Sequence, residues 1–155
     1  MPTRETSRIV EIGERRWRLG KFDALTGSYI AVKLLSRLSS IVAGVASGQI
    51  KDQAVIAMTV ANEIGSMPKD EFTEIQAESL HVVKEIIVVS DKEVDTPVHL
   101  PDGRWGVGEI EDDALLVMTL VTHVLVFNLV GFFDVDALKE AKDSFQGLIP
   151  LDVKI

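Results

Sequence analysis

Patterns of apolar and polar positions divide the first third of the chain into a hairpin and a long helix. Residues 8–21 predict a β-hairpin, because the apolar-rich run IVEI precedes a Gly-Glu pair and the segment after the pair alternates polar and apolar side chains, with Trp17 and Leu19 facing inward. A helix is predicted over 24–46, with Asp23 as its N-cap. We assign its apolar side chains to one buried face, comprising Leu25, Tyr29, Leu34, Leu38, Ile41, Val42 and Val45.

The rest of the pattern predicts more helices and one irregular segment. Helices are expected at four further places, over residues 50–64, 68–86, 110–132 and 135–145. The β-branched run at 86–89 favours an early end to the second of these, or its passage into a short strand. Residues 91–108 are expected to form an irregular loop or small hairpin that turns at Pro101-Asp102-Gly103.

These elements predict an α+β fold, mostly α, in which the N-terminal β-hairpin packs on a bundle of four to five helices. We expect residues 1–155 to form a single domain, with the hairpin at 8–21 and a helical body at 24–147 that contains the irregular loop at about 91–108. With 46% apolar residues, the chain can bury a core without a disulfide or a metal. Only 6% of the residues are aromatic, so that core is expected to be aliphatic.

Charge and cysteine content exclude several kinds of protein. Sixteen basic and 24 acidic residues give a net charge of −8, which argues against a nucleic-acid binder. The basic residues of the N-terminal 40 positions are expected to seat the hairpin on an acidic helical body. The chain has no cysteine, which removes thiolate metal sites and fits a reducing cytoplasm. The polar N-terminus lacks the apolar region of a signal peptide.

One uncharged stretch requires a test for a membrane span. Residues 114–133 are long enough to cross a bilayer and contain no charged side chain. Four polar residues would be costly at the bilayer centre, namely Thr119, Thr122, His123 and Asn128. We therefore expect a buried helix and no membrane partner.

No motif for catalysis or metal binding is found in the sequence. The acidic run at 91–102 has Thr96 where a calcium loop needs glycine. The glycines at 103–108 precede an acidic helix start, which would repel a phosphate. The three histidines have no ligand partner at helical spacing, and they are His81, His99 and His123. We expect no enzyme activity, no metal and no cofactor.

Three stretches carry a resemblance to a known family. The run WRLGKFDALT at 17–26 leads from the hairpin into the long helix through a basic-aromatic step. Trp105 and the run FNLVGFF at 127–133 follow later in the chain. On these residues, over about 9–133, the chain resembles the tail assembly chaperones of long-tailed bacteriophages and prophages.

The resemblance implies a non-enzymatic protein of the host-cell cytoplasm. Such chaperones bind the tape measure protein and keep it soluble while tail tube subunits polymerise around it, so the tape measure protein and the tail tube protein are the expected partners. Homo-oligomer formation stays open. For partner contact we single out Trp17, Tyr29, Trp105, Phe132 and Phe133. The alternative is a small ligand-binding or regulatory domain with a pocket under the 91–108 loop.

Overall fold

The computed structural model of this chain describes residues 5–133. Its strands and helices, in chain order, are β1 (Ser7–Ile12), β2 (Arg15–Gly20), α1 (Ala24–Ala46), α2 (Gln53–Gly65), α3 (Lys69–His81), β3 (Val83–Val89), β4 (Lys92–Pro97) and α4 (Ala114–Phe133). A single 3₁₀ turn over Gly108–Ile110 precedes α4. The helix expected over 135–145 lies outside the described residues.

The strands form one antiparallel sheet in the order β1-β2-β3-β4. Trp17 on β2 lies opposite Val10 on β1 and Glu85 on β3. The prediction of a mostly α fold, with the hairpin on a bundle of four to five helices, is therefore wrong. In the described part of the chain, four helices accompany a four-stranded sheet.

Of the second hairpin, β3–β4, the sequence predicted only part of one strand, as the short strand considered at 86–89. The helix expected over 68–86 ends at His81, because the β-branched residues that follow pair with β2 instead of continuing the helix. Ser90 and Asp91, between the two strands, have φ angles of 51° and 64°. Positive φ at both central residues is what a type I′ turn requires. This turn lacks the glycine from which such a turn is usually predicted. About half of the strand residues therefore belong to a hairpin that the sequence did not predict as a whole.

The inner face of the sheet carries the core of the molecule. Trp17, Leu19 and Val83 are fully buried there. They belong to one apolar cluster that also contains Leu80, Val98, Ile110, Leu120, Val121, Val124 and Phe127. The inward orientation predicted for the two β2 residues is confirmed, and the core is mostly aliphatic.

The outer face of the sheet carries ion pairs that join β2 to β4 across the strand between them. Arg16 and Arg18 on β2 reach across β3 to Glu93 and Asp95 on β4, at 2.9 and 2.8 Å. Between them, Ile86 on β3 is paired with Arg16 on one side and with Asp95 on the other, and its side chain is buried. The arginines of β2 thus pair with acidic residues of the sheet, and not with the helical body as expected.

The described residues divide into two compact units. The first contains 5–27 and 73–128, and includes the whole sheet and its core. The second contains 28–72 and 129–133. Within the second unit, Lys33 and Arg37 of α1 reach the carboxylate of Glu71 at 3.0 and 3.6 Å. That residues 1–155 form a single domain stays a prediction.

Helix α1 begins and ends where the sequence predicts, but its buried face differs. Asp23 is the predicted N-cap, and its Oδ1 accepts the backbone N–H of Thr26 at 2.9 Å. Leu25 and Tyr29 are 84% and 42% exposed, whereas Leu34 is buried. Nine positions separate Leu25 from Leu34, which places them on opposite sides of a helix that turns about 100° per residue. The single apolar face assigned to this helix is therefore wrong.

Helix α4 is uncharged along its whole length. Its inner side supplies much of the core, and its outer side exposes Leu115 and Val126. Among the described residues, no helix combines the length and the apolar character that a membrane span requires.

Candidate functional site

A cavity of about 320 Å³ lies between α3 and α4 in the first unit. Helix α3 lines it with one face, at the helical spacing of Thr73, Gln76, Ala77 and Leu80. Helix α4 contributes Ala114, Val117 and Met118, and the remaining lining residues are His99, Trp105, Glu111 and Asp112. We call this cavity, with its extension along α4, the α3–α4 groove.

The extension is a second, more open cavity of about 240 Å³ that shares Met118 with the first. Thr119, Thr122 and His123 line the rest of it. The two threonine hydroxyls donate to backbone carbonyls of their own helix, at 2.7 and 2.8 Å. Because these donors are already satisfied, the extension offers more apolar than polar surface.

The segment after β4 forms the wall at one end of the groove. Leu100 donates its N–H to the carbonyl of Arg104 at 2.8 Å, and His99 and Trp105 form an antiparallel bridge. The turn between them passes through Gly103, whose φ of 90° favours glycine. The turn predicted at Pro101-Asp102-Gly103 is confirmed, and it brings His99 and Trp105 to the same side of the groove.

Gly106 fixes this wall against the end of β4. Its N–H donates to the carbonyl of Val98 at 2.9 Å. A Cβ atom built on Gly106 would collide with the backbone oxygen of Pro97. Only glycine fits here without moving the backbone. The close approach of this segment to the backbone of Pro97 therefore explains the glycine, without phosphate binding.

Three aromatic rings contact one another at this wall. The rings of His81 and His99 stack with their centroids 4.9 Å apart, and Trp105 meets His99 edge-on at 4.9 Å. Burial lowers the pKa of His99, the charge of His81 lowers it further, and Asp102 opposes both effects. The spacing of the histidines in sequence gave no sign of this stack, because the bridge at residues 99–105 creates it.

The end of the groove at the start of α4 is acidic. Glu111 and Asp112 line it and are exposed, and neither forms an ion pair with any residue between 5 and 133. Asp113 caps α4, because its Oδ1 accepts the N–H of Leu116 at 3.0 Å. No group of three or more His, Asp or Glu side chains in the described part of the chain could hold a metal ion. The acidic end therefore favours a cationic group on whatever binds.

The structure brings one of the five residues singled out from the sequence into the groove. Trp105 is half-buried in its wall, whereas Trp17 is fully buried in the core. Tyr29 is partly exposed on α1, in the other unit. For Phe132 and Phe133 the structure describes the helical backbone and not the side chains. Contact of any of these residues with a partner stays a prediction.

Sequence reasoning missed the residues that form the floor of the groove. Val117 and Met118 lie on α4, and Gln76 on α3 donates to the sulfur of Met118 at 3.2 Å. The sequence signal that could have pointed to them is that α4 has no charged residue on any side, which is unusual for a helix with an exposed face. The facing of α3 and α4 depends on the tertiary fold and cannot be inferred from that signal.

Two of the three stretches that carry the family resemblance, 17–26 and 127–133, contact each other. Lys21 donates to the carbonyl of Phe127 at 2.7 Å, and its ammonium lies 3.8 Å from the centre of the Phe127 ring. The side chain of Asn128 hydrogen-bonds the backbone of Phe22. These residues therefore have a structural role, which is to join the end of β2 to α4.

Comparison with known protein families identifies this chain's family. A family model described as phage tail assembly chaperone protein, TAC, matches residues 13–141. No curated protein and no solved structure matches the chain. The matched range includes both contacting stretches and the whole α3–α4 groove.

Proposed function

Because this chain belongs to the phage tail assembly chaperone family, we propose that it binds the tape measure protein of its phage and assists assembly of the tail tube. The observation that carries the proposal is the family match over residues 13–141. The role is non-enzymatic and takes place in the cytoplasm of the host cell.

The α3–α4 groove supports the proposal physically. A chaperone for a long apolar protein needs a surface that can cover apolar segments before they aggregate. The groove offers the half-buried Trp105, Val117 and Met118 for this purpose, beside acidic side chains that stay in water. The net charge of −8 favours solubility of the complex while the groove is occupied.

Co-expression tests the proposal directly. The full chain is produced together with the tape measure protein encoded in the same genome, and the soluble fraction of the tape measure protein is measured. We expect it to be several-fold higher than without the chain, and we expect the two proteins to copurify. An acidic protein of similar size and unrelated fold serves as the control for a general effect of charge.

Two results would overturn the proposal. One is a tape measure protein that stays equally insoluble with and without the chain. The other is an equal gain with the unrelated acidic protein. Addition of purified tail tube protein extends the test, because an assembly role predicts that tube polymerisation on the tape measure protein is faster when this chain is present.

A second candidate function has one observation in its favour. The alternative of a small-ligand domain places a pocket under the 91–108 loop, and His99 and Trp105 from that segment do line a cavity of about 320 Å³. That volume lies at the small end of the range for ligand pockets, which is about 300–1,000 Å³. Native mass spectrometry of the purified chain distinguishes the two functions, since a small molecule bound in stoichiometric amount would favour the alternative.

A further inference from the structure

We propose that the α3–α4 groove binds an amphipathic helical segment of the partner that carries basic residues at one end. The proposal rests on the proposed function, since it specifies which kind of tape measure segment the chaperone holds. The other occupants, a small molecule or an acidic segment, are outcomes of the test below.

The shape of the groove fits a helix. Its two cavities share Met118 and follow α4 from Ala114 to His123. Nine positions at about 1.5 Å each give roughly 14 Å, or about two and a half helical turns. An amphipathic helix presents apolar side chains at i, i+3, i+4 and i+7, which cover a distance of this order. Helix-in-groove recognition uses such anchors.

The walls of the groove are formed before any partner binds. Leu80 is buried on the α3 side, and Gln76 is tied to Met118 across the floor. Trp105 is held by its bridge to His99 and by the close approach of Gly106 to β4. A preformed apolar wall reduces the ordering cost of binding, so a short segment can bind without reorganising the chaperone.

The charges of the groove select the partner and its direction. Glu111 and Asp112 lie at one end and have no cationic partner in the described chain, whereas the other end has the uncharged Thr119 and Thr122. Lysine or arginine at one end of the segment would meet the two carboxylates while the apolar face lies along α4. Exposed ion pairs contribute little affinity, but they fix register and raise the association rate.

The test uses a synthetic peptide of about 15 residues and the full chain. The peptide has leucine at i, i+3, i+4 and i+7 and lysine at one end only. A second peptide replaces the lysines by glutamate, and a third keeps the composition but scrambles the leucine positions. Trp105 reports binding by fluorescence, since the second tryptophan of the chain, Trp17, is fully buried. Titration calorimetry measures affinity independently.

Matched variants locate the binding site. Met118→Lys should weaken binding of the lysine peptide at least about tenfold. Val126→Lys adds the same charge to an exposed position of α4 outside both cavities and should leave affinity nearly unchanged. Glu111→Gln and Asp112→Asn should each weaken binding about two- to fivefold at low salt. Asp91→Asn, in the distant β3–β4 turn, is the control for those two.

The expected result is binding of the lysine peptide, weak binding of the glutamate peptide and none of the scrambled one. Equal affinity of the lysine and glutamate peptides would overturn the proposal, as would equal effects of Met118→Lys and Val126→Lys. Displacement of the lysine peptide by a small molecule bound to the purified chain would also overturn it.

Failure of this proposal can be told apart from failure of the proposed function. If Met118→Lys still solubilises the tape measure protein as well as the unaltered chain does, the groove assignment fails and the chaperone function stands. If the unaltered chain binds the lysine peptide but never the tape measure protein, the chaperone function fails and the groove assignment stands. Circular dichroism confirms that each variant is folded before either comparison is made.

Discussion

The side chain of Asn128 forms a hydrogen bond with the backbone of Phe22, in the short connection between β2 and α1. Its Oδ1 accepts the N–H of Phe22 at 2.9 Å, and its Nδ2 donates to the carbonyl of Gly20 at 3.2 Å. A third hydrogen bond returns to Val124 in its own helix at 3.0 Å. One half-buried amide therefore joins α4 to the end of the sheet across more than a hundred residues of chain.

Asn128→Ala should destabilise the protein by about 1–3 kcal/mol, because it leaves the N–H of Phe22 without its acceptor in a partly buried place. Urea denaturation followed by circular dichroism measures the change. Thr122→Ala, at an exposed position of α4, is the control and should change the unfolding free energy by less than about 0.5 kcal/mol. Equal effects of the two substitutions would show that the amide does not join these elements.

The ion pairs of the sheet should contribute unequally to stability. Arg15 holds Glu85 with two hydrogen bonds of 2.8 Å, and the Glu85 side chain is only 12% exposed. Arg16 makes a single contact with Glu93, whose side chain is 53% exposed. Glu85→Gln should therefore cost about 1–3 kcal/mol, and Glu93→Gln less than about 0.5 kcal/mol.

Thermal and urea unfolding of the two glutamine variants measure this difference. Added salt provides a further check, because screening weakens exposed pairs most. At about 1 M salt the small cost of Glu93→Gln should vanish, while most of the cost of Glu85→Gln persists. Costs of equal size at low salt would contradict the unequal contributions inferred from burial.

The sequence predicts those parts of the fold that local signals determine. Helix α1 is predicted to the residue because Asp23 supplies a cap before a long apolar period, and the first hairpin follows from an apolar run before Gly13 and alternation after it. The second hairpin was missed because its strands form through pairing with β2, far away in sequence, and because its turn has no glycine. Where tertiary pairing competes with helical spacing, as at Val83, the local signal is overridden.

The candidate site, too, can be predicted from the sequence only in part. Trp105 could be singled out from the sequence because it is one of the residues that carry the family resemblance. Its neighbours Leu80 and Met118 are not, since each reads as an ordinary helical core position. Two helix faces become a groove only when the fold sets them opposite each other, and a single sequence does not contain that relationship.

Gly106→Ala should open the wall of the groove. The added methyl group would collide with the carbonyl of Pro97, so the bridge between His99 and Trp105 would have to shift. We expect a loss of about 1–3 kcal/mol in unfolding free energy and a red shift of Trp105 fluorescence. Gly108→Ala is the control, since a Cβ there meets nothing within 4 Å. An unchanged fluorescence maximum in Gly106→Ala would contradict the close approach.

The turn between β3 and β4 leaves room for stabilisation. Asp91 adopts a φ of 64°, which costs less for glycine than for any residue with a Cβ. Asp91→Gly should raise the unfolding free energy by about 0.5–1 kcal/mol, because glycine is preferred at this position of a type I′ turn. Chemical denaturation measures the gain. Asp95→Gly, within β4, should instead destabilise the sheet, and a gain there as well would show that turn geometry is not the cause.

His99, which stacks on His81, should make stability depend on pH in a defined direction. Burial and the charge of His81 lower the pKa of His99 in the folded state below its ordinary value, while Asp102 opposes the shift. As the pH falls through about 6.5, His99 binds a proton in the unfolded chain but stays neutral in the folded protein. The unfolding free energy should therefore fall across this range and stop falling once the pH is below the pKa of His99 in the folded protein.

The carboxylates respond at lower pH, so they do not obscure this effect. Hydrogen bonds lower the pKa of Asp23 and Asp102, and stability from these groups is lost only as the pH falls below about 4. Urea denaturation at several pH values between about 7.5 and 5 measures the slope that belongs to His99. His99→Phe keeps a ring against Trp105 but cannot titrate, so it should flatten the slope, whereas His123→Gln, at an exposed position, should leave it unchanged. A slope that survives His99→Phe would mean that another group resists protonation in the folded protein.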